Sequence, residues 1–312
     1  MIAIVGPTAV GKSQLALQLA QYFPAEIISA DSRQVYRYMD IGTNKPSPAE
    51  RAAVPHHIID VVDPDQEFSL AMYLQLATEA LKSVREKSKL PLLVGGSGLY
   101  VWSLLEGWKI PHVPPDRKLR RELEARAAQE GSEKLYRELQ SVDPVAAEKI
   151  NPSNIRRIIR ALEVYHSLGL PFSQLQRKEP LGFPVVLIGL TRERSELYRR
   201  IDERVDKMIQ DGLVEEVELL LRKGYSLSLP SMSGIGYKQI GQFLQGEMTL
   251  PEAIARIKYE THRLARHQYA WFRLSDRRIH WLNISGTGRE VDSDSMRVIL
   301  NKARELIESS PS

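Results

Sequence analysis

Short runs of buried-type residues alternate with helical periodicity over the first third of the chain. Ile2-Ala-Ile-Val5 leads into Gly6-Pro-Thr-Ala-Val-Gly-Lys-Ser13 and then a helical stretch over Gln14 to Tyr22, an order that predicts strand, glycine loop and helix. Glu26-Ile-Ile-Ser29 predicts a second strand, followed by Asp31. His57 to Val62 predicts a third, and Leu90 to Val94 a fourth that runs into Gly95-Gly-Ser-Gly98, with helix over Leu70 to Lys87 before it. Strands alternating with helices imply a parallel, doubly wound α/β sheet. From residue 116 to about 178 the strand signals stop, and the chain is helical and charged, with breaks at Asp143-Pro144 and Asn151-Pro152. Pro184 to Leu190 returns to a strand pattern. It leads into a long amphipathic helix with Ile201, Val205, Met208, Val217 and Leu220 on one side. A helix from about Pro251 to Phe272 and a short strand at Ile279 to Leu282 follow. The expected organisation is a core domain from 1–115 and 179–312, with residues 116–178 as an inserted all-helical domain.

Composition narrows the class. The 312 residues are 43% hydrophobic and 26% charged, with 19 Gly and 18 Pro, which excludes global disorder and collagen-like structure. There is no cysteine, so disulfides, thiolate chemistry and Cys-based zinc or iron–sulfur sites are excluded, and a reducing cytoplasm is the expected setting. No apolar run approaches the ~20 residues of a membrane span, so no membrane association is expected. The net charge of +4 is modest, but its placement is uneven: residues 116–178 hold 13 Lys/Arg against 9 Asp/Glu, and the remainder balances. A second excess, between Arg256 and Arg278, sets seven basic residues against Glu260 and Asp276. Both are candidate polyanion surfaces, although a single charge run more often only solvates a helix face.

Residues 6–13 fit G-x-x-x-x-G-K-[ST] in full, between a strand and a helix, the context that gives this motif its meaning. The backbone N–H groups of Gly6, Pro7's successor Thr8, Ala9, Val10 and Gly11, together with the helix N-terminus, can surround phosphate oxygens. Lys12 adds a charge, and the Ser13 hydroxyl can ligate Mg²⁺. The fold is therefore expected to be P-loop NTPase-like, a parallel sheet flanked by helices. The acidic strand end usual in NTPases is missing after Val94. Asp60 and Asp63 could supply a metal-binding carboxylate or cap a strand end, and Asp31 could act at the carboxyl edge of the sheet or form an Asx turn.

Beyond this loop, Asp31-Ser-Arg-Gln-Val-Tyr36, Asp40-Ile-Gly-Thr43 with Lys45-Pro46, His57-Ile-Ile-Asp60, Gly95-Gly-Ser-Gly-Leu-Tyr100 and Arg160-Ala-Leu-Glu163 are followed in order by Arg200-Ile-Asp-Glu-Arg204, Gly234-Ile-Gly-Tyr-Lys-Gln239, Arg266-His-Gln268 and Trp271-Phe-Arg273. Over nearly the whole chain this resembles the tRNA dimethylallyltransferases, isopentenyltransferases acting on the adenosine next to the anticodon. The resemblance implies that Gly6 to Ser13 hold the diphosphate of dimethylallyl diphosphate rather than ATP, with Mg²⁺ assisting its departure. It makes Asp31 the general base for the adenine N6, and Thr8 and Arg204 the groups at the leaving diphosphate. It places tRNA contacts at Arg33, Gln34, Val35, Tyr36, Ser97, Arg156, Arg157 and Arg160, and at Gly236, Tyr237 and Lys238, with the insert as a tRNA-binding domain and a monomer as the expected state. Ser97 stands where the family more often has Thr, and Arg156 where it more often has Gln. Two other classes fit the residues alone: a small-molecule kinase using Arg156, Arg157 and Arg160 as a lid, and a non-catalytic RNA-binding protein with a nucleotide switch.

Overall fold

A computed structural model describes residues 1–110, 113–175, 177–286 and 293–308. In chain order it contains β1 (Ile2–Val5), α1 (Lys12–Leu19), β2 (Ala25–Ser29), α2 (Pro48–Ala53), β3 (His56–His57), α3 (Leu70–Glu86), β4 (Leu90–Val94) and α4 (Gly98–Leu105). Next come β5 (Trp108–Lys109), α5 (Arg117–Glu130), α6 (Ser132–Val142), α7 (Pro144–Lys149), α8 (Ile155–Leu168), α9 (Phe172–Leu175) and β6 (Arg177–Lys178). The chain continues through β7 (Val186–Thr191), α10 (Arg194–Gln210), α11 (Leu213–Arg222), α12 (Tyr237–Leu244), α13 (Leu250–Trp271), β8 (His280–Asn283) and α14 (Ser293–Glu308). No helix among the described residues is long and apolar enough to cross a membrane.

The first of two compact units, Met1–Ser69 with Tyr73–Leu104 and Leu181–Ser312, carries a six-stranded sheet in the order β3-β2-β4-β1-β7-β8, parallel throughout. Ile2 and Ile4 of β1 face Leu92 and Val94 on one side and Val186 and Ile188 on the other. These central strands are buried along their length, as strands covered on both faces must be, which accounts for their unbroken apolar runs. Leu15 and Leu19 of α1 pack with Ile2, Ile4 and Leu92 in the core of this unit, fixing the helix against the sheet and its N-terminus at the carboxyl end of β1. A parallel sheet gathers its βα loops at that same edge, where ligands of such folds bind.

Two expectations are corrected. The apolar run His57 to Val62 is not a strand beyond His57: Ile58 and Asp60 take positive φ values of 62° and 56°, and the chain turns away after a two-residue β3. The amphipathic stretch after β7 is two helices, because Gly212 at φ 101° ends the run and starts α11. A side chain there would be strained in that left-handed backbone.

The second unit, Leu70–Met72 with Leu105–Pro180, holds α5 to α9 and a short antiparallel pair of β5 with β6. Leu123, Leu135, Leu139, Ile158 and Leu162 form its core. Asp116, Asp143 and Asn154 cap α5, α7 and α8 by accepting first-turn N–H groups, so the Asp143-Pro144 and Asn151-Pro152 breaks begin new helices.

Candidate active site

The phosphate loop spans the turn from β1 into α1. In it, Lys12 Nζ donates to the carbonyls of Gly6 at 3.0 Å and Pro7 at 2.7 Å. Burial first, and then the neighbouring Arg204, pull this ammonium down to about 7, with Asp31 acting the other way. Three arginines hold the loop from one stretch of chain. Arg192 Nε donates to the Val10 carbonyl at 3.2 Å, Arg200 Nε to the Ala9 carbonyl at 3.2 Å, and Arg204 Nη1 to the Thr8 hydroxyl at 3.4 Å. Burial and Arg200 bring Arg204 down to about 10, which leaves it cationic at neutral pH.

A cavity of about 600 Å³ opens over this loop, lined among others by Lys12, Ser13, Asp31, Gln34 and Arg204. A second, of about 480 Å³, is walled by Ser97, Leu99, Met208, Ile257, Leu264 and Trp271. Thr8, Asp31, Thr43, Asn44, Gly96 and Arg204 line both. A polar chamber that holds Lys12 and Arg204 and a more apolar one therefore share a carboxylate, a hydroxyl and a guanidinium.

Asp31 sits just past β2, and its Oδ1 accepts from the backbone N–H groups of Arg33 at 2.8 Å and Gln34 at 3.4 Å. The Asx turn and the position at the sheet edge are thus the same fact, since the turn aims the carboxylate into both cavities. Ser97 Oγ accepts from Ser32 N–H at 3.1 Å, joining the glycine loop after β4 to this turn.

The other expected site residues divide by what already engages them. Arg33 donates to the Pro230 carbonyl at 2.8 Å and the Ser231 carbonyl at 3.2 Å, and so pins the turn at 230–233. The Gln34 amide donates to the Thr43 and Asn44 carbonyls at 3.3 and 3.1 Å. Val35 and Tyr36 are buried, as is Tyr237, so their side chains shape these loops and are not presented to a macromolecule. The Tyr237 hydroxyl donates to Glu216, whose carboxylate also accepts from the N–H groups of Asp40, Ile41 and Gly42. Gly236 N–H is capped by Gln239 at 2.9 Å, and Lys238 is exposed. Asp60 is engaged by Lys45 and Arg51, which hold its carboxyl below the usual range against the cost of burial, and Asp63 pairs with Arg37.

In the second unit the three arginines of α8 are unlike. Arg156 and Arg157 are exposed in its first turn. Arg160 instead donates to Glu163, one turn on, at 2.5 Å and to the Val113 carbonyl at 3.1 Å. Glu163 is fully buried and also accepts from Arg120 and from Asp116 N–H, so Arg160 compensates a buried charge.

Arg200 and Gln268 stand in the sequence blocks that carry the resemblance but have no role there, and Arg192 and Glu216 carry no sequence signal of their own. A signal for Gln268 was present: Ala253, Ile257, Ala265 and Gln268 share the buried face of α13, and a glutamine at an apolar position of a helical period marks a polar group that needs partners.

The IPP transferase family model matches residues 34–275, and the isopentenyl transferase model residues 1–60. The tRNA dimethylallyltransferase of Roseiflexus castenholzii is 54% identical over 88% of this chain and 89% of its own, and that of Dehalococcoides mccartyi 48% over 96% and 92%. Among solved structures, the full-length tRNA isopentenylpyrophosphate transferase of Bacillus halodurans superposes with a TM-score of 0.70 at 40% identity, covering 98% of this chain and 96% of its own. A eukaryotic dimethylallyltransferase acting on tRNA superposes with a TM-score of 0.84 at 28% identity, covering 100% of this chain and 80% of its own. The phosphate loop, the carboxylate turn and the glycine loop thus lie on a fold shared along the whole chain, which belongs to the IPP transferase family, that of the tRNA dimethylallyltransferases.

Proposed function

We propose that this chain transfers the dimethylallyl group of dimethylallyl diphosphate to N6 of adenosine 37, next to the anticodon of tRNA, giving N6-isopentenyladenosine and diphosphate. The observation that carries the reading is the set Thr8, Asp31 and Arg204 shared by the polar cavity over the phosphate loop and a more apolar one. Diphosphate suits the first and a flipped-out adenine the second, and the reacting atoms would then meet beside Asp31. The adenine N6 attacks the allylic carbon while the carbon–oxygen bond to diphosphate breaks. Asp31 takes the N6 proton, and diphosphate leaves with the bonding electron pair. Lys12, Arg204 and the loop N–H groups stabilise the charge that develops on it.

Among the described residues no group of three or more His, Asp or Glu could hold a metal. Ser13 is exposed at the start of α1 and lines the polar cavity. That donor set fits Mg²⁺ held mainly by diphosphate oxygens and water with one protein hydroxyl, a habit of this ion. Bound there, Mg²⁺ would neutralise charge on the leaving group. Exposed Arg156 and Arg157 suit RNA phosphates, and we read the enzyme as a cytoplasmic monomer.

Incubation with dimethylallyl diphosphate labelled in the prenyl chain and a tRNA anticodon stem-loop tests this reading. Label in N6-isopentenyladenosine is the expected result. Phosphoryl transfer from labelled ATP, or RNA binding with neither reaction, would contradict it.

A further inference from the structure

One N–H of the phosphate loop is already engaged by the protein itself. Gln268 Oε1 accepts from the Thr8 backbone N–H at 2.7 Å, and its Nε2 donates to the Gly96 carbonyl at 3.0 Å. Both ends of the amide are held, which leaves it a single orientation. The side chain belongs to a residue only 8% exposed. Gly96 is what permits this approach, since a Cβ there would stand 2.2 Å from Nε2.

Phosphates on a loop of this type lie along it, with one at the helix N-terminus near Gly11 to Ser13 and any further one toward the start of the loop. A third phosphate would therefore arrive at Thr8. There Arg204 at the Thr8 hydroxyl offers a cation, but the backbone donor is taken and the Asp31 carboxylate, which lines both cavities with Thr8 and Arg204, has the same sign as the incoming oxygens. A diphosphate that ends beside Thr8 and continues as an uncharged carbon chain meets neither obstacle.

We propose that Gln268 sets the length of phosphate chain the loop accepts, holding the Thr8 N–H so that diphosphate is favoured over triphosphate. The inference rests on the diphosphate reading of the site. Gln268 acts through Thr8 and is a positioning residue, fixing the loop segment whose hydroxyl meets Arg204.

Calorimetric titration of the full chain with inorganic diphosphate and with tripolyphosphate, at fixed Mg²⁺, tests it. Charge alone would favour tripolyphosphate, so a preference for diphosphate is informative. The wild type should bind diphosphate more tightly by about tenfold, the scale of one charge-assisted hydrogen bond. Gln268→Met, which keeps the length and loses both bonds, should erase that preference by strengthening tripolyphosphate, and Gln268→Ala should do the same. Equal binding of the two probes by the wild type would overturn the inference, even if neither variant folds. So would an equal loss for both probes in folded variants. No diphosphate binding at all would instead remove the reading on which the inference rests.

Discussion

Arg204 Nη1 stands 3.4 Å from the Thr8 hydroxyl, joining the middle of α10 to the phosphate loop. Arg200, one turn earlier, bonds the Ala9 carbonyl, and Arg192, just past β7, bonds the Val10 carbonyl. The loop conformation is thus written partly in a segment about 190 residues away in sequence. Ala9 holds φ 63° within it, a conformation an alanine keeps only when its surroundings enforce it.

Arg204→Ala should therefore lower the prenyl-transfer rate by about 10²–10³, the usual loss for one group stabilising developing charge. Arg204→Lys should recover only part, because an ammonium cannot reproduce the planar fork. Turnover measured beside RNA-binding titrations checks this. RNA affinity in both variants should match the wild type, and a parallel loss of both would show that the substitution had disturbed the fold.

Lys12 predicts a proton uptake. Its ammonium is pulled from 10.5 to about 7 in the folded chain, so between these values the unfolded state binds more protons and this group makes stability rise with pH. Below about 7 the cost of the buried charge is present in full. Bound diphosphate favours the charged form, so binding near pH 8 should draw a proton onto Lys12. Calorimetry in buffers of different ionisation enthalpy should find this extra uptake in the wild type and not in Lys12→Met. Identical proton balances in the two would separate Lys12 from the diphosphate.

The arginines of α8 should part company. Arg156→Ala and Arg157→Ala should each flatten the slope of log K for RNA against log salt by about 0.7–0.9, with an unchanged melting temperature. Arg160→Ala should destabilise the protein by about 1–2 kcal/mol, because Glu163 keeps Arg120 but loses one charge-assisted partner. Salt-series titrations and thermal melts distinguish the two behaviours.

What the sequence made legible was local. The strand, glycine loop and helix from Ile2 to Leu19 are contiguous, and buried parallel strands write themselves as apolar runs, so the sheet and its phosphate loop could be read directly. His57 to Val62 misled for the same reason: an apolar run says nothing of the positive φ at Ile58 and Asp60 that ends β3. The bonds that join distant stretches of the chain at the site were not legible. Nothing near Gln268 in sequence points to Thr8, 260 positions away, and nothing near Arg160 distinguishes it from Arg156 until Glu163 is seen to be buried. The resemblance to a family supplied Asp31 and Arg204 as a pair, while only the fold brings them to the same cavities.

The proposed reaction turns on Asp31, which would take the proton from an adenine amine as that amine displaces diphosphate held by the loop. Single-turnover prenyl transfer to an anticodon stem-loop, with enzyme in excess, measures that step directly. Asp31→Ala should slow it by about 10²–10⁴, the range for a lost general base, while RNA and dimethylallyl diphosphate affinities stay close to wild type. An undiminished single-turnover rate in Asp31→Ala would remove Asp31 as the base.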